Sequence, residues 1–144
     1  LFTDEYFHIG GDEVNYAHWT KNPQIQSFMK MNNIADNHAL QAYFNQRMEK
    51  ILTKHNKKMV GWDEILNPNL SNNIVVQSWR SHKSLFHAVQ KGSNAILSAG
   101  YYLDHKASAA KHYSVDPEVM PGAVTIKPDS LNWQEYFLEV NISE

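Results

Sequence analysis

The sequence contains no cysteine. That excludes disulfides and thiol chemistry, but it leaves the compartment open, because many exported proteins also lack disulfides. No run approaches the roughly 18 apolar residues of a membrane helix. The first residues, Leu1-Phe2-Thr3-Asp4-Glu5, have no basic or apolar leader character and no initiating Met, so the chain reads as cut from something longer. Charge of one sign is also missing. Thirteen basic and fifteen acidic residues are scattered without runs for a net charge of −2, which gives no electrostatic footprint for nucleic acid or an anionic membrane. A neutral or weakly charged partner is expected, and neither nucleic acid nor membrane. Repeats and low-complexity segments are absent too.

What remains is 144 residues, enough for one modest domain with a real core. The chain is rich in rings, with four Trp, seven Tyr and six Phe. Rings of this kind fill cores, and they also wall sugar sites.

Four short apolar stretches read as buried strands: Tyr6–Ile9, Met59–Trp62, Ile74–Trp79 and Ala95–Ser98. Each is followed at its C-terminal end by polar or aromatic residues. Leu40, Tyr43, Phe44, Met48, Ile51 and Leu52 recur at helical spacing and predict an amphipathic helix from about Asn37 to His55. Asn22-Pro23 supplies a cap and a first-turn proline for a shorter helix before it. Leu85, Phe86 and Val89 mark a third helix, from about His82 to Lys91, which Gly92 stops. Strands alternating with helices predict an α/β fold with a parallel sheet. Only the interval from Trp62 to Ile74 is too short for a helical crossover; it leaves room for a loop or a single turn. From Lys111 the pattern fades, with possible strands at Ala123–Ile126 and Tyr136–Ile142. Residues 1–110 are therefore expected to form one partial domain and residues 111–144 an insertion or loop-rich extension of it. An eight-unit barrel takes about 250 residues, so four strands here would be about half of one; a complete small open sheet is the alternative.

The chemistry gathers at His8-Ile9-Gly10-Gly11-Asp12-Glu13. Two acids follow a strand, at the end where parallel α/β barrels carry their sites. Adjacent side chains on a regular strand face opposite ways, so the acids share a site only if the backbone bends, and Gly10-Gly11 permits the bend. Two neighbouring carboxylates oppose each other's ionisation, which in an apolar pocket makes one a general acid at neutral pH. Glu13 is assigned the acid and Asp12 the ionised partner. The plainer reading has Asp12 capping a helix and Glu13 solvated. A metal site from His8, Asp12 and Glu13 lacks a second ligand cluster at sensible spacing, so neither metal nor cofactor is expected.

With its order of landmarks, the sequence resembles glycoside hydrolase family 20, whose hallmark His-x-Gly-Gly-Asp-Glu matches residues 8 to 13. Gly61-Trp62-Asp63-Glu64, Gln77-Ser78-Trp79 and Tyr102-Leu103-Asp104 follow in the family's order, over about residues 1–115. The resemblance implies strands four to seven of a (β/α)8 TIM barrel. It also implies an exo-acting β-N-acetylhexosaminidase using retaining, substrate-assisted catalysis. On that basis Asp12, Glu13 and Tyr102 are the catalytic residues; Trp62 and Trp79 wall the N-acetyl group, and Asp104 accepts from a sugar hydroxyl. Glu64 is either a hydrogen-bond partner near the acetamide tryptophan or a supporting surface residue. His8 is read as a structural histidine, and Trp19 and Asp63 stay unassigned. Trp133-Gln134-Glu135 is not taken as the family's late Trp-x-Glu.

The family's first three strands and its eighth are not recognisable in the chain. The piece is therefore expected to expose open sheet edges, to turn over little by itself and to self-associate. Family members are commonly periplasmic, secreted or lysosomal. A carbohydrate-binding or catalytically dead relative and a metal-dependent barrel hydrolase are the competing functions.

Overall fold

The computed structural model describes residues 2–118. Four strands form one sheet in the order β1 (Tyr6–His8), β2 (Lys58–Trp62), β3 (Val75–Ser78), β4 (Asn94–Leu97), and every neighbouring pair is parallel. All four expected strands are present, to within a residue or two at each end. Registers such as Phe7 opposite Met59, Gly61 opposite Val76 and Gln77 opposite Ile96 bring the C-terminal ends of consecutive strands to one edge.

The helices follow from local chemistry. Asn22 caps α2 (Pro23–Met31), its Oδ1 accepting from the amides of Gln24 (2.9 Å) and Ile25 (3.3 Å). Asp36 does the same for α3 (Asn37–Lys54) through the Ala39 amide at 2.7 Å. α4 (His82–Gln90) ends at Gly92, whose φ of +82° takes the chain out of the helix. Two short helices lay below the reach of periodicity: α1 (Ala17–Lys21) and α5 (Ala109–Tyr113). α5 runs across residue 110, where the sequence pattern fades. Its His112 Nδ1 donates to the Gly100 carbonyl (2.9 Å), and Tyr101 Oη donates to the Val115 carbonyl (2.9 Å), so the described chain continues through that point without a break. The possible strands at 123–126 and 136–142 lie outside the described residues, as does Trp133.

The core lies between the sheet and helices α3 and α4. Leu52, Met59, Ile65, Leu66, Ile74, Val76 and Ala88 are buried together, with Phe7, Ile9, Met48 and Ala95 packed against them. β2 and β3 are buried as sequence suggests, whereas β1 and β4 alternate or stay exposed because each borders only one strand among the described residues. Between β2 and β3 the chain makes a single 3-10 turn (Asp63–Ile65) in place of a crossover helix. On the outer side, Trp19, Ile25, Phe28, Leu40, Phe44 and Ile51 border an apolar groove of about 560 Å³.

Ile65 ties this turn to the carboxylate loop. It is fully buried, and a methyl group added at Gly11 would sit 2.6 Å from its Cγ2. One added at Gly61 would sit 2.8 Å from its Cδ1 and 3.0 Å from the Gly10 carbonyl oxygen. Neither position has space for a side chain, so two glycines and one isoleucine set the distance between the ends of β1 and β2. Ile65→Ala is expected to cost about 2–5 kcal/mol of stability in a denaturant titration, because it empties a site walled by two glycine backbones. Ile65→Val should cost about 1 kcal/mol.

Candidate active site

The acidic loop leaves β1 through three departures from strand geometry, at residues 10, 11 and 13. Gly10 and Gly11 have φ of +76° and +99°, and Glu13 itself has φ of +49°. The bend that the adjacent acids require is therefore formed. Its carbonyls are pinned from two sides. Trp62 N–H donates to Gly10 O (3.0 Å), which extends the β1–β2 pairing past the strand, and Gln41 Nε2 of α3 donates to Gly11 O (2.8 Å). Gln41 is itself buried and held by Tyr16 Oη, which donates to its Oε1 at 2.5 Å and lies 3.1 Å from His38 Nδ1. The side chains of Asp12 and Glu13 are exposed among the described residues. The described residues thus fix the backbone beneath the acids without forming the apolar enclosure expected around them. Asp12 caps no helix: α1 begins after Tyr16, and Asn15 Oδ1 accepts from the Ala17 amide.

His8 Nδ1 accepts from the Gly10 amide at 3.0 Å, and its ring meets Trp62 edge-on at 5.1 Å. The histidine therefore braces the start of the bend and orients the tryptophan at the end of β2.

The centre of the site's electrostatics is the turn after β2. Asp63 has no exposed surface. Its carboxylate accepts from Arg80 Nε (2.7 Å), the Arg80 amide (3.4 Å) and Ser84 Oγ (2.6 Å). Ser78 Oγ in turn contacts Ser84 Oγ and the Ser81 carbonyl. A buried carboxylate needs such partners, since losing one leaves an uncompensated charge. Next to it, Glu64 accepts from the indole Nε1–H of Trp79 with both oxygens, at 3.0 and 3.2 Å. Burial pushes the Glu64 carboxyl up to about 7; Arg80 opposes this, and the adjoining Asp63 charge adds to it.

Beyond β4, Tyr101 and Tyr102 separate clearly. Tyr101 commits its hydroxyl to the Val115 carbonyl. Tyr102 stacks on His105 with centroids 5.5 Å apart. Its phenol is raised above the ordinary range by burial, then by the negative charges of Asp104, Asp63, Asp12 and Glu64. The phenol is thus a neutral donor in the field of the acids at the ends of β1 and β2. Asp104 is exposed beside it.

All six expected site residues therefore stand at or just beyond the C-terminal ends of the strands: Asp12 and Glu13 after β1, Trp62 at the end of β2, Trp79 after β3, Tyr102 and Asp104 after β4. Sequence reasoning did not find Arg80, Ser84, Gln41, Tyr16 or Ile65. Asp63 and Glu64 carried a signal only in being two acids next to a strand-end tryptophan.

A parallel α/β sheet with acids and rings along one strand-end edge is the arrangement of barrel enzymes. The family described as glycosyl hydrolase family 20, catalytic domain, matches residues 1–141. A β-hexosaminidase of Porphyromonas gingivalis is 40% identical over 127 residues, covering 86% of this chain and 15% of that protein. The β-hexosaminidase α subunit of Rattus norvegicus is 30% identical, covering 99% of this chain and 30% of that protein. Among solved structures, the Flavobacterium johnsoniae chitobiase superposes with a TM-score of 0.78 at 42% identity, over 88% of this chain and 20% of that one. The chain belongs to glycosyl hydrolase family 20 and lies within its catalytic domain, which is a TIM barrel. It spans less than a third of the length of these relatives.

Two outcomes follow for stability. Gln41→Leu strands the Gly11 carbonyl and leaves the Tyr16 hydroxyl only its contact with His38, and should cost about 1–3 kcal/mol by thermal or denaturant unfolding. For Glu64, the folded carboxyl titrates higher than the unfolded one, so ionising it opposes folding. Stability is therefore expected to fall as pH rises from the unfolded carboxyl range towards about 7 and to level off above it. Glu64→Gln should remove that slope, with a Tm gain over wild type that is larger at about pH 8 than at about pH 5.

Proposed function

We propose that the full-length protein carrying this chain is an exo-acting glycoside hydrolase. It would release terminal β-linked N-acetylglucosamine or N-acetylgalactosamine with retention, using the substrate's own acetamide as nucleophile. The observation that carries this reading is the pinned Gly10-Gly11 bend presenting Asp12 and Glu13 on one strand-end edge with Trp62, Trp79 and Tyr102, in a member of family 20. Relatives named β-hexosaminidase and chitobiase support the substrate class.

In the first step the 2-acetamido oxygen attacks the anomeric carbon as the bond to the leaving oxygen breaks, and Glu13 gives its proton to that oxygen. Asp12 accepts from the acetamide N–H and stabilises the positive charge of the cyclised intermediate. Tyr102, held neutral, donates to the acetamide oxygen. In the second step the Glu13 carboxylate takes a proton from water, the water oxygen bonds to the anomeric carbon, and the acetamide is released. Trp62 and Trp79 pack on the acetyl methyl and exclude water; Asp104 accepts from a ring hydroxyl.

Within this reading β1 to β4 are strands four to seven of the barrel. Residues 1–110 belong to the barrel and residues 111–144 extend it, with α5 joining the two. The 144-residue chain alone turns over little and self-associates through the open β1 and β4 edges.

The test is hydrolysis of an aryl β-N-acetylglucosaminide by the full-length protein. Glu13→Gln is expected to lose roughly 10²–10⁴-fold in kcat with poor leaving groups, and Asp12→Asn roughly 10²–10³-fold. A thiazoline analogue of the cyclised intermediate should inhibit strongly. Unchanged turnover in Glu13→Gln, together with indifference to the thiazoline, would point to a binding or catalytically dead relative. Loss of activity on chelation would point to a metal-dependent hydrolase.

A further inference from the structure

We propose that Glu64 is a positioning residue for the acetamide pocket, its carboxylate fixing the plane of the Trp79 indole by accepting Nε1–H with both oxygens. This rests on the function proposed above and adds a residue that contacts no substrate in that scheme.

Geometry separates Glu64 from a merely structural acid. It is the middle residue of a three-residue turn whose flanking residues, Asp63 and Ile65, have no exposed surface. Asp63 is locked by Arg80 and Ser84, and Ile65 is locked against Gly11 and Gly61, so the Glu64 backbone is held from both sides. The nearby cation sits closer to the neighbouring acid: Arg80 Nε lies 2.7 Å from Asp63 and 3.8 Å from Glu64, so it is shared between the two with Asp63 the nearer partner. The short contacts made by the Glu64 carboxylate are to an indole at the end of the next strand. An ionised acceptor binds an N–H roughly twice as strongly as a neutral one. The ring that walls the acetyl group is therefore held most firmly when Glu64 is charged.

Glu64 titrates at about 7, so the hold on Trp79 weakens as pH falls through neutrality. The groups facing it are Asp63 on its own turn, Arg80 from the loop after β3, Tyr16 before α1, His38 of α3 across a small cavity, and Tyr102 after β4. Of these, His38 is the other imidazole-bearing or acidic group lining that cavity with Glu64, and it is controlled for by His38→Gln.

The experiment uses the full-length protein labelled with fluorotryptophan, the Trp79 fluorine resonance being assigned by its absence in Trp79→Phe. The Trp79 signal should titrate with a midpoint near 7 in the wild type and in His38→Gln, and lose that titration in Glu64→Gln. For an aryl β-N-acetylglucosaminide, Glu64→Ala should raise KM about tenfold, with a smaller change in kcat. Glu64→Gln, which keeps a neutral acceptor, should restore most of that KM and leave it independent of pH between about 6 and 8. The wild-type titration needs no variant other than the one used for assignment, so a misfolded Glu64→Ala protein leaves the proposal open to refutation. A Trp79 signal that is flat with pH in a protein that hydrolyses the substrate would overturn the role of Glu64. A titrating signal in a protein that does not hydrolyse it would instead sink the proposed function.

Discussion

A carboxylate with no exposed surface cannot stay charged without partners, and Asp63 has found them all on the far side of the next strand. Its bonds to Arg80 and Ser84 join the end of β2 to the loop after β3 and the first turn of α4. The buried pair is not by itself a source of stability, since desolvation offsets much of the attraction. Its effect is to fix one geometry. With Asp63 locked, the turn that follows β2 has a single position, and Ile65 and Glu64 inherit it. Ile65 reaches back to the glycines of the β1 loop, while Glu64 reaches forward to Trp79. The strand-end edge is thus organised from its middle outward.

The loop carrying Asp12 and Glu13 depends on that organisation because its own side chains do little to hold it. Two positive-φ glycines give the chain freedom, and freedom alone would leave the acids anywhere. The constraint comes from the carbonyls of Gly10 and Gly11, each accepting a hydrogen bond from a different element, and from Ile65, which fills the space a side chain would need. The acids are placed by their backbone rather than by pairing, and among the described residues neither carboxylate forms an ion pair. Uncommitted carboxylates suit a proton donor and an acceptor that must meet substrate.

What was legible in the sequence is what local periodicity and chain punctuation encode. The long helix announced itself through Leu40, Tyr43, Met48 and Leu52. Asn22-Pro23 and Gly92 marked ends that the structure places there, and the short Trp62–Ile74 interval does hold only a turn. Gly10-Gly11 before two acids was a readable bend. Interactions over longer separations were not readable. Asp63 and Arg80 are 17 residues apart, Gly11 and Gln41 30, and nothing in either local pattern marks them as partners. α1 and α5, at five residues each, are too short to show a helical repeat. The same limit explains the tyrosines: adjacent Tyr101 and Tyr102 look alike in sequence, and only the return of the chain at Val115 commits the first and leaves the second in the field of the acids.

The four acids at the ends of β1 and β2 divide into two kinds, and the division has a physical logic. Asp63 is buried and hydrogen-bonded on both oxygens. Asp12 and Glu13 are exposed among the described residues. Glu64 stands between, mostly buried but close enough to neutrality to change state. A fixed charge sits where burial and salt bridging lock it, and on the proposed function the acting charges sit where a ligand can close over them. On the proposed function, enclosure of Asp12 and Glu13 would come with the substrate and with the rest of the barrel. The described residues supply the position of the acid, and its dry surroundings would then be a property of the complex.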